Sequence, residues 1–107
     1  MPQIVYSDNF NEDFQRITEF MRRVSPETVG KMTLEILTSL DILSEQPEIG
    51  SPSHYPVLAE EFSNLRKFII RFGKGSYIVL YNYDRTQDIV VLAHIKHSKE
   101  QNFSFEK

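Results

Sequence analysis

An α+β domain is predicted, with an N-terminal strand and a helical hairpin packed on an antiparallel β-meander, and three observations predict it. Apolar residues recur at spacings of three and four from Phe10 to Leu43. A proline-rich stretch follows, and three strand-like runs separated by turn residues occupy positions 65 to 96. Helices gathered before strands, without alternation, point to helices on one face of an antiparallel sheet rather than to parallel βαβ units.

Each element has a local reason. Gln3 to Tyr6 is a short strand expected to join the sheet, and Ser7 or Asp8 supplies a helix cap after it. Phe10, Phe14, Ile17, Met21 and Val24 form the stripe of the first helix, widened by Phe20, with Glu12, Asp13, Arg16, Glu19, Arg22 and Arg23 on the remaining arc. Ser25-Pro26-Glu27 restarts the chain with a capping hydroxyl, a proline suited to the first helical position and an acid in the first turn. The second helix carries Val29, Met32, Ile36, Leu40 and Leu43, with Leu37 alongside, and stops before Pro47 and Gly50. Residues 47 to 63 hold three of the five prolines and no period, so they read as a surface connection with a turn of helix near Leu58. Leu65 to Phe72, Ser76 to Tyr83 and Ile89 to Lys96 are the meander strands, and Tyr77, Val79, Tyr81 and Tyr83 share one face of the middle one. Gly73-Lys74-Gly75 and Asp84 to Asp88 are short enough to be hairpin links. The tail, residues 98 to 107, either docks by Phe103 and Phe105 or stays flexible until a partner arrives.

The 107 residues, 40% hydrophobic and 25% charged, suffice for a single domain spanning 1–107 and exclude a two-domain enzyme. The absence of Cys removes disulfides, thiolate zinc sites and thiol nucleophiles, and a cytoplasmic location is expected. The first residues lack a signal-peptide pattern, and the longest wholly apolar run is Ile89 to Ala93, so secretion and membrane association are not expected. Net charge is −3, unevenly spread. Residues 1 to 63 carry four basic and eleven acidic side chains, whereas residues 64 to 99 carry seven basic and two acidic ones. A basic working face backed by an acidic, solvated one is the expectation, with nucleic acid at most a local partner for a chain of pI near 5.6.

Few residues suggest chemistry. His94 and His97 lie three apart on a strand and so point to opposite faces, which with no Cys argues against a metal site. His97 ends the last strand beside Lys96 and Lys99, and neighbouring cations disfavour its charged form, which makes it a candidate general base. Arg66, Lys67, Arg71 and Lys74 make a basic ladder, although alternation separates Arg66 from Lys67 and Arg71. The tyrosine row reads as core and rim rather than as a base-stacking platform. The chain has no Gly-rich phosphate loop, and neither a cofactor nor a metal is expected.

The run Leu65-Arg66-Lys67-Phe68-Ile69-Ile70-Arg71-Phe72-Gly73, the run Gly75 to Tyr81 and the run Val90 to Glu100 together resemble the three-strand block of the RelE/ParE superfamily of type II toxin-antitoxin toxins. The helical hairpin ending at Pro47 resembles the family's first half, and the likeness is strongest to the ParE-like "plasmid stabilization" branch. This resemblance implies a growth-inhibiting toxin, neutralised by a cognate antitoxin that folds across it and able to form toxin-antitoxin oligomers. ParE-like members bind DNA gyrase. RelE-like members instead cleave mRNA on the ribosome without a metal, and a non-toxic antitoxin-binding module is a third outcome. Under the nuclease alternative His97, Lys99 and Arg66 would be catalytic. Under the protein-target reading Lys67, Arg71, Lys74 and Lys96 form the target-binding basic face. Two departures from the nuclease pattern favour the protein target: Ile78 follows Tyr77 where the nucleases carry Arg, and Phe103 stands where an aromatic hydroxyl is often found.

Overall fold

Ser7 ends the first strand and starts the first helix. In the computed structural model, which describes residues 1–106, its hydroxyl accepts from the Phe10 N–H at 3.0 Å and donates to the Ala93 carbonyl at 3.1 Å. One side chain therefore caps α1 (Asp8–Val24) and ties it to the last strand. Helix α1 buries Phe10 and Ile17 and packs Phe14 and Met21 against the core. The stripe ends there, because Val24, the last helical residue, is 59% exposed. Asp13 departs from its expected place on the polar arc: it is only 2% exposed.

Pro26–Thr28 forms a 3-10 turn that leads into α2 (Val29–Leu40), and a second 3-10 turn, Asp41–Ser44, extends it. Met32, Ile36, Leu40 and Leu43 are fully buried, as their spacing predicts, and Leu37 stays on the exposed flank.

Five strands form one sheet in the order β1-β5-β4-β3-β2. These are β1 (Gln3–Tyr6), β2 (Ser51–Pro52), β3 (Leu65–Phe72), β4 (Gly75–Asp84) and β5 (Ile89–His97). The meander β3-β4-β5 is antiparallel, while β1 lies parallel to β5 with Gln3 opposite Ile89 and Tyr6 opposite Leu92. β2 falls inside the stretch expected to be irregular; its two residues pair with Arg66 and Lys67 at the sheet's edge, where a proline costs no ladder hydrogen bond. Gly73 takes φ +60° in the two-residue turn between β3 and β4, a conformation favouring glycine. In the second link the Asp84 carboxylate accepts from the Thr86 and Gln87 N–H groups.

Tyr77, Val79 and Tyr81 project from β4 into the helix layer and are buried. They are core, as the sequence suggested. β5 interrupts the pattern: Tyr81 opposes Leu92 and Leu80 opposes His94, so Ala93 is an extra, bulged residue. The bulge lets Val90, Leu92 and Ile95 all pack against the helices. On the opposite face a second apolar cluster joins Leu58, Leu65, Leu80, Ala93 and Phe103, with Tyr55, Phe62, Ile78 and Phe105 around it. The connection after β2 and the tail thus cover part of the outer face. Phe103 is 1% exposed and Phe105 stacks on it, so the described part of the tail packs on this face by its aromatics.

Candidate functional site

The strand register sorts the basic ladder. Phe68, Ile70 and Phe72 point to the helices, so alternation sends Lys67, Ile69 and Arg71 to the outer face. Three cross-strand rows organise that face. Lys67 lies beside Leu80 and His94, Ile69 beside Ile78 and Lys96, and Arg71 beside Ser76. Lys67 Nζ sits 5.6 Å above the Tyr55 ring, and Lys96 Nζ sits 5.3 Å above the Phe103 ring while donating to the Glu100 carbonyl at 2.8 Å. Arg71 is exposed, and Lys74 is exposed at the tip of the β3-β4 turn. Lys67, Arg71 and Lys96 therefore share one face with Lys74 at its end. The middle row is different in kind: Ile69, 53% exposed, and Ile78 put an apolar strip among these cations.

His97 and Lys99 come together elsewhere. They line a cleft of about 520 Å³ between α1 and the end of β5, with Arg16, Ile17, Phe20, Met21, Arg23, Tyr77 and Glu100. The His97 ring packs edge-on against Tyr77, 5.0 Å between centroids. Its Nδ1 accepts from the Lys99 backbone N–H at 3.0 Å, and its Nε2 stands 2.7 Å from where a Cβ on Gly75 would lie. The ring is thus held on three sides by the protein.

Arg66 is not part of that cleft. Its Nη1 donates to the carbonyls of Glu48 at 2.9 Å and Gly50 at 2.7 Å, and its Nη2 to the Glu48 carboxylate at 3.2 Å. The Tyr81 hydroxyl accepts from the Gly50 N–H at 2.9 Å. Arg66 and Tyr81, which are cross-strand neighbours, together clamp the end of the helical hairpin onto the sheet. A Cβ at residue 50 would stand 2.7 Å from the Lys67 carbonyl and 2.8 Å from the Tyr81 ring, which explains a glycine there. Tyr81 and Tyr77, the neighbour of His97, are four residues apart on β4, about 13 Å along the strand. The three residues of the nuclease expectation therefore do not face one common point.

Between these regions lies a buried polar pair, Asp13 and His94, of which the sequence reading placed Asp13 on the polar arc of the first helix. The Asp13 Oδ2 accepts from the Ile95 N–H at 3.2 Å and is 3.0 Å from His94 Nδ1, while Oδ1 accepts from Arg16 at 2.9 Å. Ser104 Oγ stands 3.3 Å from the same His94 nitrogen, and the Phe105 ring lies 4.7 Å from the imidazole. Burial acts to raise the Asp13 pKa, but hydrogen bonds from His94, Arg16, Ser104 and the Ile95 N–H outweigh it and hold the carboxyl below its ordinary value. A signal for this was present: Asp13 follows Phe10 by three and precedes Ile17 by four, so it belongs to the apolar stripe. His94 and His97 are separate, and among the described residues no three His, Asp or Glu side chains gather as a metal site. No helix among these residues is long and apolar enough to cross a membrane.

The site thus sits on a two-helix layer over a mixed five-stranded sheet, with cations spread over the sheet's outer face. The family model described as the ParE toxin of the type II toxin-antitoxin system, parDE, matches residues 4–102, and the chain belongs to that family. Among solved structures, the toxin-antitoxin complex RelBE2 from Mycobacterium tuberculosis contains a chain 18% identical to this one, with a TM-score of 0.49 and coverage of 91% of this chain and 99% of that one. No curated protein matches.

Proposed function

We propose that this toxin inhibits growth by binding a protein target, DNA gyrase, through the outer face of its sheet, and that a cognate antitoxin neutralises it. The observation that carries the reading is the row Ile69, Ile78 and Lys96. Transition-state stabilisation of a phosphorane needs several donors converging on one point in a water-poor site. Here two isoleucines occupy the middle of the face, Lys96 is engaged by the tail, and Arg66 is committed to the 48–50 loop. An exposed isoleucine flanked by Lys67 and Arg71 suits an interface with an apolar centre and a charged rim.

The test is labelled precursor incorporation in the minutes after inducing the toxin without antitoxin. Thymidine incorporation is expected to fail while methionine incorporation continues, and Ile69→Glu is expected to abolish growth inhibition with the fold intact. Early collapse of methionine incorporation, lost in His97→Ala, would establish the ribosome-dependent nuclease instead. Absence of any growth effect would leave an antitoxin-binding module.

A further inference from the structure

One edge of the sheet is left half open. β2 pairs with β3 only at Lys67 and Arg66, so residues 68–72 have β4 on one side and no strand on the other. The register fixes where their backbone groups point. Phe72 and Gly75 close a two-residue turn as a hydrogen-bonded pair, so Phe72, Ile70 and Phe68 aim their N–H and C=O groups at β4. Ile69 and Arg71 aim theirs away from the sheet, like Leu65, whose carbonyl accepts from the Ser53 N–H just after β2 at 3.0 Å. Among the described residues, nothing bonds the N–H and C=O groups of Ile69 and Arg71. The devices that keep an edge from pairing are absent here: the segment holds no proline, its ladder has no bulge, and Ile69 is 53% exposed.

The segment is complementary to itself. Laid antiparallel on a second copy with Ile70 opposite Ile70, it sets Ile69 opposite Arg71 of the second copy, and Arg71 opposite its Ile69. Both become hydrogen-bonded pairs, and their N–H···O=C bonds use every free group of the two edges. On the helix side the half-buried Phe68 ring comes beside Phe72 of the second copy. On the outer face each arginine meets an isoleucine, so the one charge in the segment meets no like charge directly opposite. Neighbouring registers fail: centring on Ile69 sets Arg71 against Lys67, which Ser51 already pairs, and centring on Arg71 puts two arginines face to face. We propose that the β3 edge takes a second copy of this chain, joining two five-stranded sheets into one continuous sheet about a two-fold axis. The two outer faces then lie side by side and present Ile69 twice.

So short a paired segment stays below the roughly 1,200 Å² of a standard interface, so the dimer is weak and forms at high concentration. The test is sedimentation equilibrium of the full chain, without antitoxin, at concentrations up to about 1 mM. The mass is expected to rise from 12.6 kDa toward twice that value. Over the same range amide exchange should slow at Ile69 and Arg71, and not at Ile70, whose N–H is already bonded to β4. Arg71→Pro removes an edge donor without touching the β4 ladder and is expected to weaken association at least about tenfold. If that variant melts at lower temperature, cysteine variants replace it, since the chain has no Cys of its own. Ile70→Cys is expected to give a disulfide-linked dimer under oxidised glutathione, because the two copies of residue 70 stand about 4.5 Å apart between Cα atoms. Ile69→Cys is not, because its copies stand about 8 Å apart. A monomer throughout the range, with exchange at Ile69 and Arg71 independent of concentration, overturns the proposal. So does a dimer that Arg71→Pro leaves intact or that Ile69→Cys cross-links. Protection of the two amides only when antitoxin is added also overturns it, and gives the edge to a strand of that partner.

Discussion

Replacing Asp13 by alanine removes the acceptor for two buried donors at once. The Ile95 N–H would be left unpaired beyond the end of β1, at a cost of about 1–3 kcal/mol, and His94 Nδ1 would lose a charge-assisted partner worth a similar amount. The half-exposed Arg16 adds under about 1 kcal/mol, and alanine's better helix propensity returns roughly 0.5 kcal/mol. The expected net loss is ~3 kcal/mol. For a chain of this size that lowers the melting temperature by roughly 12–20 °C. Asp13→Asn keeps one acceptor but points an amide NH₂ at other donors, and should cost about 1–2 kcal/mol. The acid dependence follows from the direction of the Asp13 shift. A folded-state pKa below the ordinary value means that the stabilisation is complete above about pH 3.9 and is lost as pH falls through the lower folded value. The gap between wild type and Asp13→Asn should therefore be full at pH 6 and shrink toward pH 2. Urea unfolding followed by circular dichroism at both pH values measures it. An Asp13→Ala protein within about 0.5 kcal/mol of wild type at pH 6 would refute the reasoning.

Three further outcomes are expected. Gly50→Ala forces a methyl against the Lys67 carbonyl and the Tyr81 ring, and should cost about 1–3 kcal/mol in the same urea titration. Gly75→Ala displaces the His97 ring, which the His97 imidazole resonances would report by NMR, with destabilisation of about 1–2 kcal/mol. Phe103→Ala empties the centre of the outer apolar cluster and should cost about 3 kcal/mol, with faster proteolytic trimming of the tail as its sign.

The helices were legible because each buries a single face, and the strands because short apolar runs between turn residues mark them out. The stripe from Phe10 to Met21 and the row from Tyr77 to Tyr83 needed no tertiary information. Three features escaped, each of them decided by tertiary context. Residues 89–93 are apolar on both faces, which hides the bulge at Ala93. Asp13 is polar yet buried, because β5 extends past β1 and leaves the Ile95 N–H in need of an acceptor. Ser51–Pro52 is too short to carry a period of its own. At the site, the separation of Arg66 from Lys67 and Arg71 was readable from alternation, whereas the gap between Arg66 and His97 depends on register. The role of Arg16, Arg23 and Glu100 was not readable, because it depends on where α1 crosses the sheet.

The pairing of β1 with β5 also sets an order in time. Residues 3–6 find their hydrogen-bond partners only at 89–92, so the first strand waits until the whole meander has been made before its neighbour exists. The β3-β4 and β4-β5 hairpins close locally and can form as soon as they emerge. The helical hairpin, made first, must hold Met32, Ile36 and Leu40 without their sheet until then. Completion of this molecule is thus a late and nearly all-or-none event: a chain stopped short of residue 89 has no place to dock its own beginning.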